Sequence, residues 1–356
     1  MEPIARNIIQ TLQTQGLVSQ RDLVDGSSVL FMGRQRNRFF VYKQLHGPSF
    51  FIKHAHEGEA GTVESVTLEA QIYKAVADNA DFQHLQAVMP QLLHFDQDSA
   101  TMTLLLIKDA EDLGTRARRL GQNSCDDAGQ MGRIAAQYHI LPQSAVDALA
   151  VDFPAKPHWI FRLEETPSPL PSLRGRSPAS AALIDALRAN PQIKHSLQWC
   201  RDNWVSDALI HGDFKLENFL TAPSEADPGH QTLRLIDWER ADRGDPAWDV
   251  GCGFGAFVIH RVMQKSGDAL GAALPEMRAF WTAYSASRSG CDSAFLDRCI
   301  AMMAARLLVA GYEYCFAQDD LPDLSLALMQ LAETVISLEG QAEIAATLAR
   351  PCKQAA

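Results

Sequence analysis

The pattern of the chain changes once, near residues 107–109, and this change constrains the fold more than any other feature. Before it, short runs rich in Phe and Val alternate with Gly, Asn and Pro. Ser28 to Met32, Arg38 to Lys43 and Ser49 to His54 are predicted strands, with a turn at Gly33-Arg34-Gln35-Arg36-Asn37 between the first two. Residues 4–14 are predicted to form a short amphipathic helix. A longer helix is predicted for Val63 to Asp78, where Val66, Leu68, Ile72, Tyr73 and Val76 recur at helical spacing. Two more strands are predicted near Met89 to Phe95 and Thr101 to Ile107. Three strands, a helix and two strands specify an antiparallel sheet with one main helix against it, an α+β unit.

After Lys108 the spacing is mostly helical, over Asp126 to Leu141, Ile193 to Val205, Ala247 to Met263, Leu270 to Ser287, Ala294 to Ala317 and Leu324 to Leu348. Pro154 to Pro178 holds six prolines and reads as a loop with little regular structure. Glu217 to Thr221 and Gln231 to Asp237 are two strands joined by a polar turn. The expected division is therefore 1–107 and 108–356, and 356 residues suffice for two such units.

Composition narrows the function classes. A net charge of −11 argues against nucleic acid as a partner, since phosphates would be repelled. An acidic chain would suit a cationic acceptor, although solubility alone accounts for the charge. Seven scattered cysteines without a C-x-x-C pair point to a reduced, cytoplasmic chain. The first residues show no basic segment leading into an apolar one, so no signal peptide is expected. The most apolar stretch, Cys299 to Phe316, is broken by Arg306 and Glu313, which favours a buried helix with core residues Met302, Met303, Leu307 and Leu308 over a membrane span.

The chemistry is concentrated in Leu209-Ile210-His211-Gly212-Asp213-Phe214-Lys215-Leu216-Glu217-Asn218 and in Leu233-Arg234-Leu235-Ile236-Asp237-Trp238-Glu239. Phosphoryl transfer needs a carboxylate at the acceptor hydroxyl, hard oxygen ligands for magnesium and a cation on the donor phosphates. Asp213 can be the base, and Asn218 and Asp237 can hold the metal. A hairpin between 219 and 236 would bring these three together. A surface turn with helix caps would explain Asp213 but not all three.

His-Gly-Asp-x-x-x-x-Asn followed by Ile-Asp-Trp-Glu resembles the catalytic and metal-binding motifs of the aminoglycoside phosphotransferase and choline kinase-like family. The resemblance covers about residues 25–260 and implies a bilobal, protein-kinase-like fold that uses ATP and Mg2+. It also implies that 1–107 clamps the nucleotide, with the hinge near Leu105 to Lys108 reading the base. Asp249, in Gly244-Asp245-Pro246-Ala247-Trp248-Asp249, would brace the catalytic loop together with His211, while Asp245 caps the following helix. Lys53, ending Phe50-Phe51-Ile52-Lys53, would meet the phosphates, and Glu69 would hold it. Lys43 and Glu64 compete for these roles; Lys53 and Glu69 are preferred because the third strand must directly precede the helix. Gly33 is the candidate nucleotide-loop glycine, although its turn has one glycine and not several. Arg34, Arg36 and Arg38 read as solvated turn charges, His54 and His56 as a surface pair, and His139 as a packing histidine.

The resemblance implies a kinase acting on a hydroxyl-bearing small molecule. The tract around Trp248 is also similar to phosphotransferases of lanthipeptide-type dehydration, which implies a Ser/Thr peptide acceptor and a separate lyase partner. A non-catalytic pseudokinase would be expected to have lost Asp213, Lys53 or Asp237, and none is lost. No membrane partner is expected.

Overall fold

The structure is a computed structural model that describes residues 3–24, 28–34, 37–56, 61–149, 151–163, 165, 169–223 and 231–350. The first part runs α1 (Pro3–Thr14), α2 (Gln20–Val24), β1 (Ser28–Arg34), β2 (Arg38–Gln44), β3 (Phe50–His54), α3 (Thr62–Asp78), β4 (Leu92–Asp96) and β5 (Thr101–Leu105). The strands form one antiparallel sheet in the order β1-β2-β3-β5-β4. The two-residue alternation of β2 and β3 decides which side chain goes where. Phe40, Tyr42, Phe50 and Ile52 point to one face and close a small core with Ile8 and Leu12 of α1. Phe39, Phe51 and Lys53 point to the other face, toward α3 and the cleft beyond it. Burial of each such aromatic or aliphatic side chain is worth roughly 1.5–3 kcal/mol, so the outer core fixes where Lys53 emerges. The strand expected from Met89 begins three residues later. Residues Ala80–Val88 before it form a 3-10 segment in which Phe82 and Leu85, three apart, are buried together.

The second part continues with β6 (Glu111–Asp112), α4 (Leu113–Leu120), α5 (Cys125–His139), α6 (Gln143–Asp147), α7 (Leu170–Arg174), α8 (Pro178–Ala189), α9 (Pro191–Asp202) and β7 (Ala208–Ile210). It ends with β8 (Phe219–Pro223), β9 (Gln231–Leu235), β10 (Asp242–Gly244), α10 (Pro246–Met263), α11 (Ala269–Ser287), α12 (Ser293–Tyr314), α13 (Asp323–Ile336) and α14 (Leu338–Leu348). β8 and β9 pair antiparallel, with Phe219 opposite Leu235, which is the expected hairpin; the tip of its turn lies outside the described residues. β7 and β10 pair antiparallel as a separate ladder. The architecture is the expected bilobal α+β fold, an antiparallel sheet lobe on a mostly helical lobe.

Three expectations need correction. The Pro-rich stretch is not without regular structure: Trp159–Arg162 form a 3-10 turn that buries Ile160 and Phe161, and α7 follows. Pro178 does not end a loop but occupies the first turn of α8, where its missing N–H costs nothing and Ser177 caps the helix. The single helix expected from Leu324 to Leu348 is two, because Ser337 leaves helical geometry and its side chain accepts from the Gly340 N–H to start α14. The apolar stretch containing Arg306 is α12, buried along most of its length. Among the described residues, no helix is long and apolar enough to cross a membrane.

Candidate active site

The loop after β7 is held from behind by one carboxylate. Asp249, in the first turn of α10, accepts the backbone N–H of His211 at 2.6 Å and of Gly212 at 3.0 Å, and the Tyr138 hydroxyl at 2.8 Å. Burial alone would raise its pKa, but these donors and His139 hold it below the usual carboxylate range. Asp245, one turn earlier, caps α10 by accepting the Ala247 N–H, so the two aspartates have separate tasks. His139 packs as expected, with its Nδ1 3.0 Å from the Tyr284 hydroxyl. The His211 ring links the two motif loops: Nε2 lies 2.9 Å from the Ile236 carbonyl and Nδ1 accepts the Asp213 N–H at 3.3 Å. With the Asp213 N–H donating to Nδ1, Nε2 is the nitrogen that donates to the Ile236 carbonyl. Gly212 adopts φ +76°, and a Cβ there would run into the Arg240 carbonyl oxygen. Only glycine fits.

In front of the loop, the side chains converge. Asn218 donates its amide to the Asp213 carbonyl at 2.7 Å, and its Oδ1 accepts no hydrogen bond among the described residues. Asp237 follows β9 by two residues, with φ +68°, a left-handed conformation that is strained for a non-glycine residue. Lys53 Nζ lies 2.7 Å from Glu69, 2.5 Å from Asp237 and 2.8 Å from Glu239. Burial alone would lower the Lys53 pKa, but these three carboxylates hold it well above the ordinary range, so it stays charged. These residues line a cleft of about 490 Å³ between the lobes, roofed by Phe39 and Phe51 and floored by Leu220 and Ile236, with Leu105 to Ile107 along its back wall. Glu69, Asp237 and Glu239 are close enough to share a metal ion. Asp237 and the uncommitted Asn218 Oδ1 are hard oxygen donors facing the same cleft, a set that fits magnesium.

Asp213 sits at the mouth of this arrangement. Lys215 donates to its Oδ2 at 2.6 Å. Burial would raise the Asp213 pKa, but Lys215, Arg240 and Arg306 outweigh burial and hold the carboxyl well below the usual range. His158 stacks on Trp248, with ring centroids 4.8 Å apart, and Trp248 Nε1 reaches the Gly212 carbonyl at 3.4 Å. Burial, reinforced by Arg240 and Arg306, lowers the His158 pKa to about 3, so its ring is neutral at physiological pH.

The structure thus brings together Lys53, Glu69, Asp213, Asn218 and Asp237, with His211 and Asp249 behind them. The rivals Lys43 and Glu64 are exposed elsewhere. Gly33 lies on β1 opposite Phe39, whose ring, part of the cleft roof, occupies the space a Cβ would need. Gln35 and Arg36 of its turn lie outside the described residues. His54 Nδ1 lies 2.8 Å from the Thr101 hydroxyl. Four residues went unread in the sequence: Glu239, Lys215, Arg240 and Arg306. Glu239 stood inside the Ile-Asp-Trp-Glu run, and a charge inside an apolar helix was the signal for Arg306.

Comparison with known proteins accords with this geometry. Residues 31–284 match the phosphotransferase enzyme family (APH), and the chain belongs to that family. Among solved structures it is similar to an ethanolamine kinase of Plasmodium vivax, with a TM-score of 0.59 and 12% identity over 90% of this chain and 84% of that one. It is also similar to a choline kinase of Cryptosporidium parvum, with a TM-score of 0.57 and 11% identity over 96% of this chain and 97% of that one. Acyl-CoA dehydrogenase family member 11 of Gallus gallus is 34% identical over 64 residues, which span 17% of this chain and only 8% of that protein. The chain is therefore a phosphotransferase with a protein-kinase-like fold.

Proposed function

We propose that this protein transfers the γ-phosphoryl group of Mg-ATP to a hydroxyl of a small molecule. The observation that carries the reading is Lys53, fixed among Glu69, Asp237 and Glu239 at the cleft wall, with Asp213 on the adjoining loop. Lobe 1–107 clamps the nucleotide and 108–356 carries the catalytic loop and the acceptor. Lys53 binds the donor phosphates and Glu69 aims it. Asn218 and Asp237 would hold Mg2+, which neutralises phosphate charge when bound. The Asp213 carboxylate orients the acceptor hydroxyl. As the acceptor oxygen bonds to the γ-phosphorus, the bond from that phosphorus to the bridging oxygen breaks and ADP leaves with the electron pair. The hydroxyl proton passes to Asp213 and on to water. Because Asp213 is a weak base, that transfer comes late, as suits a loose transition state.

Small-molecule acceptors are supported by the ethanolamine and choline kinases that share the fold. For a peptide acceptor with a lyase partner, the sequence offered Trp248; its burial against His158 and Phe161 explains that residue by packing. The described cysteines are free, which supports a reduced, cytoplasmic location. Calorimetry with ATP, with and without magnesium, followed by an acceptor screen for ADP release, tests the reading. Magnesium-dependent binding and acceptor-stimulated release are expected; no nucleotide affinity would overturn it.

A further inference from the structure

The ion cluster around Lys53 borders two buried polar atoms that the phosphotransfer reading does not use. Asn37, the residue before β2, is 4% exposed and lines the cleft. Chemistry fixes the direction of its amide. The Glu239 carboxylate only accepts, so the end 2.8 Å from Glu239 Oε2 is Nδ2, and Oδ1 is the other end. The same Glu239 oxygen takes Lys53 Nζ at 2.8 Å. Asn37 Oδ1 is buried and has no hydrogen-bond partner among the described residues. Tyr73 stands one helical turn beyond Glu69 on α3, and both line the cleft. Tyr73 is 2% exposed. Its hydroxyl lies beside Glu69 and the Asp237 backbone, yet completes a hydrogen bond with neither. An unpaired polar group in a protein interior costs free energy, so two of them beside one ion cluster call for a partner.

The chemistry of that partner is narrow. Asn37 Oδ1 only accepts, so it cannot pair with a phosphate oxygen, which also only accepts. Lys53 cannot serve it either, because its three ammonium hydrogens are spent on Glu69, Asp237 and Glu239. Oxygens of those three carboxylates lie within 4.8 Å of one another, close enough to surround a cation. Magnesium sheds water reluctantly and keeps several waters beside a nucleotide, and each is a polarised O–H donor. We infer that Asn37 and Tyr73 hold waters of the magnesium bound by Asn218 and Asp237, Asn37 through Oδ1 and Tyr73 through its hydroxyl. The inference rests on the phosphotransfer reading above. It adds two positioning residues to the donor site, one from the approach to β2 and one from α3, neither of which touches a phosphate.

Calorimetry on the full chain with ATP, with and without magnesium, tests it. Tyr73→Phe deletes one hydroxyl and nothing else. A buried hydroxyl without a partner stabilises nothing, so the nucleotide-free Tm should hold or rise. Mg-ATP affinity should fall roughly ten-fold, the usual cost of losing a group that steadies a metal's own ligands, while affinity for ATP without magnesium stays as it was. Asn37→Leu should weaken Mg-ATP in the same way and also lower the nucleotide-free Tm, because it breaks the bond to Glu239. Manganese in place of magnesium gives a second readout: the water-proton relaxation of the Mn-ATP complex should change in both variants, since the waters on the ion have lost a partner. The inference falls if either variant binds Mg-ATP as the wild type does. It falls equally if affinity drops alike with and without the metal, which would put these residues on the nucleotide itself. In both cases the phosphotransfer reading stands. A wild-type chain that binds no Mg-ATP removes that reading and the inference with it.

Discussion

Asp213 is kept ionised by its neighbours, and this has a kinetic consequence. A carboxyl whose pKa is depressed in the folded protein stays charged until the pH falls below the ordinary carboxylate range. The rate of transfer should therefore show no acid limb from Asp213 between about pH 5 and 8. Lys215→Met removes the nearest of the three cations, so the carboxyl pKa rises and an acid limb should move up toward neutrality in the kcat profile. Asp213→Asn should retain Mg-ATP affinity by calorimetry while acceptor phosphorylation falls by roughly 10² to 10⁴, the usual contribution of a positioned base. Wild-type transfer by that variant would remove Asp213 from the proposed role.

At the scale of elements, the site depends on a turn and a helix start. β7 has only three residues, and the loop it delivers is shaped by Gly212 at φ +76° and by Asp249 at the first turn of α10. Gly212→Ala forces a side chain into the Arg240 carbonyl and into a left-handed backbone, so the loop must shift. Activity should fall by about 10² or more because near-attack geometry tolerates little displacement. Asp249→Ala strands two backbone N–H groups and the Tyr138 hydroxyl in the core. Losing the charge-assisted bonds should cost about 3 kcal/mol in urea unfolding, on top of lost activity. A variant as stable as the wild type would show that the bracing is dispensable.

In the whole molecule, one ion cluster ties the two lobes. Lys53 and Glu69 belong to the sheet lobe, and Asp237 and Glu239 to the helical lobe; Asn37 adds a bond to Glu239 at 2.8 Å. Mg-ATP bound in the cleft adds further contacts across the same seam. At a hundred times its Kd it should stabilise the fold by about 2.7 kcal/mol, read as a rise in Tm that chelation of magnesium abolishes. Lys53→Met should lower both the nucleotide-free Tm and the nucleotide-induced rise. An unchanged rise would mean that Lys53 does not meet the phosphates.

What the sequence determined by itself is what short-range periodicity and spacing can encode. The alternation of β2 and β3 separates Phe50 and Ile52 from Phe51 and Lys53, and the hairpin from Phe219 to Leu235 brings Asn218 and Asp237 near Asp213. Helical spacing located α3, and with it Glu69, sixteen residues after Lys53. Three-residue strands such as β7 and β10 have no period to read, since their pairing with each other is what makes them strands. The break between α13 and α14 turns on one serine leaving helical geometry, which the surrounding packing decides. The electrostatics of the acceptor side were the least legible. Lys215, Arg240 and Arg306 are distant in sequence, and net charge is a sum over the chain. Whether they act on Asp213 depends on distance and burial, which only the packing of α12 on α10 and of the two loops supplies.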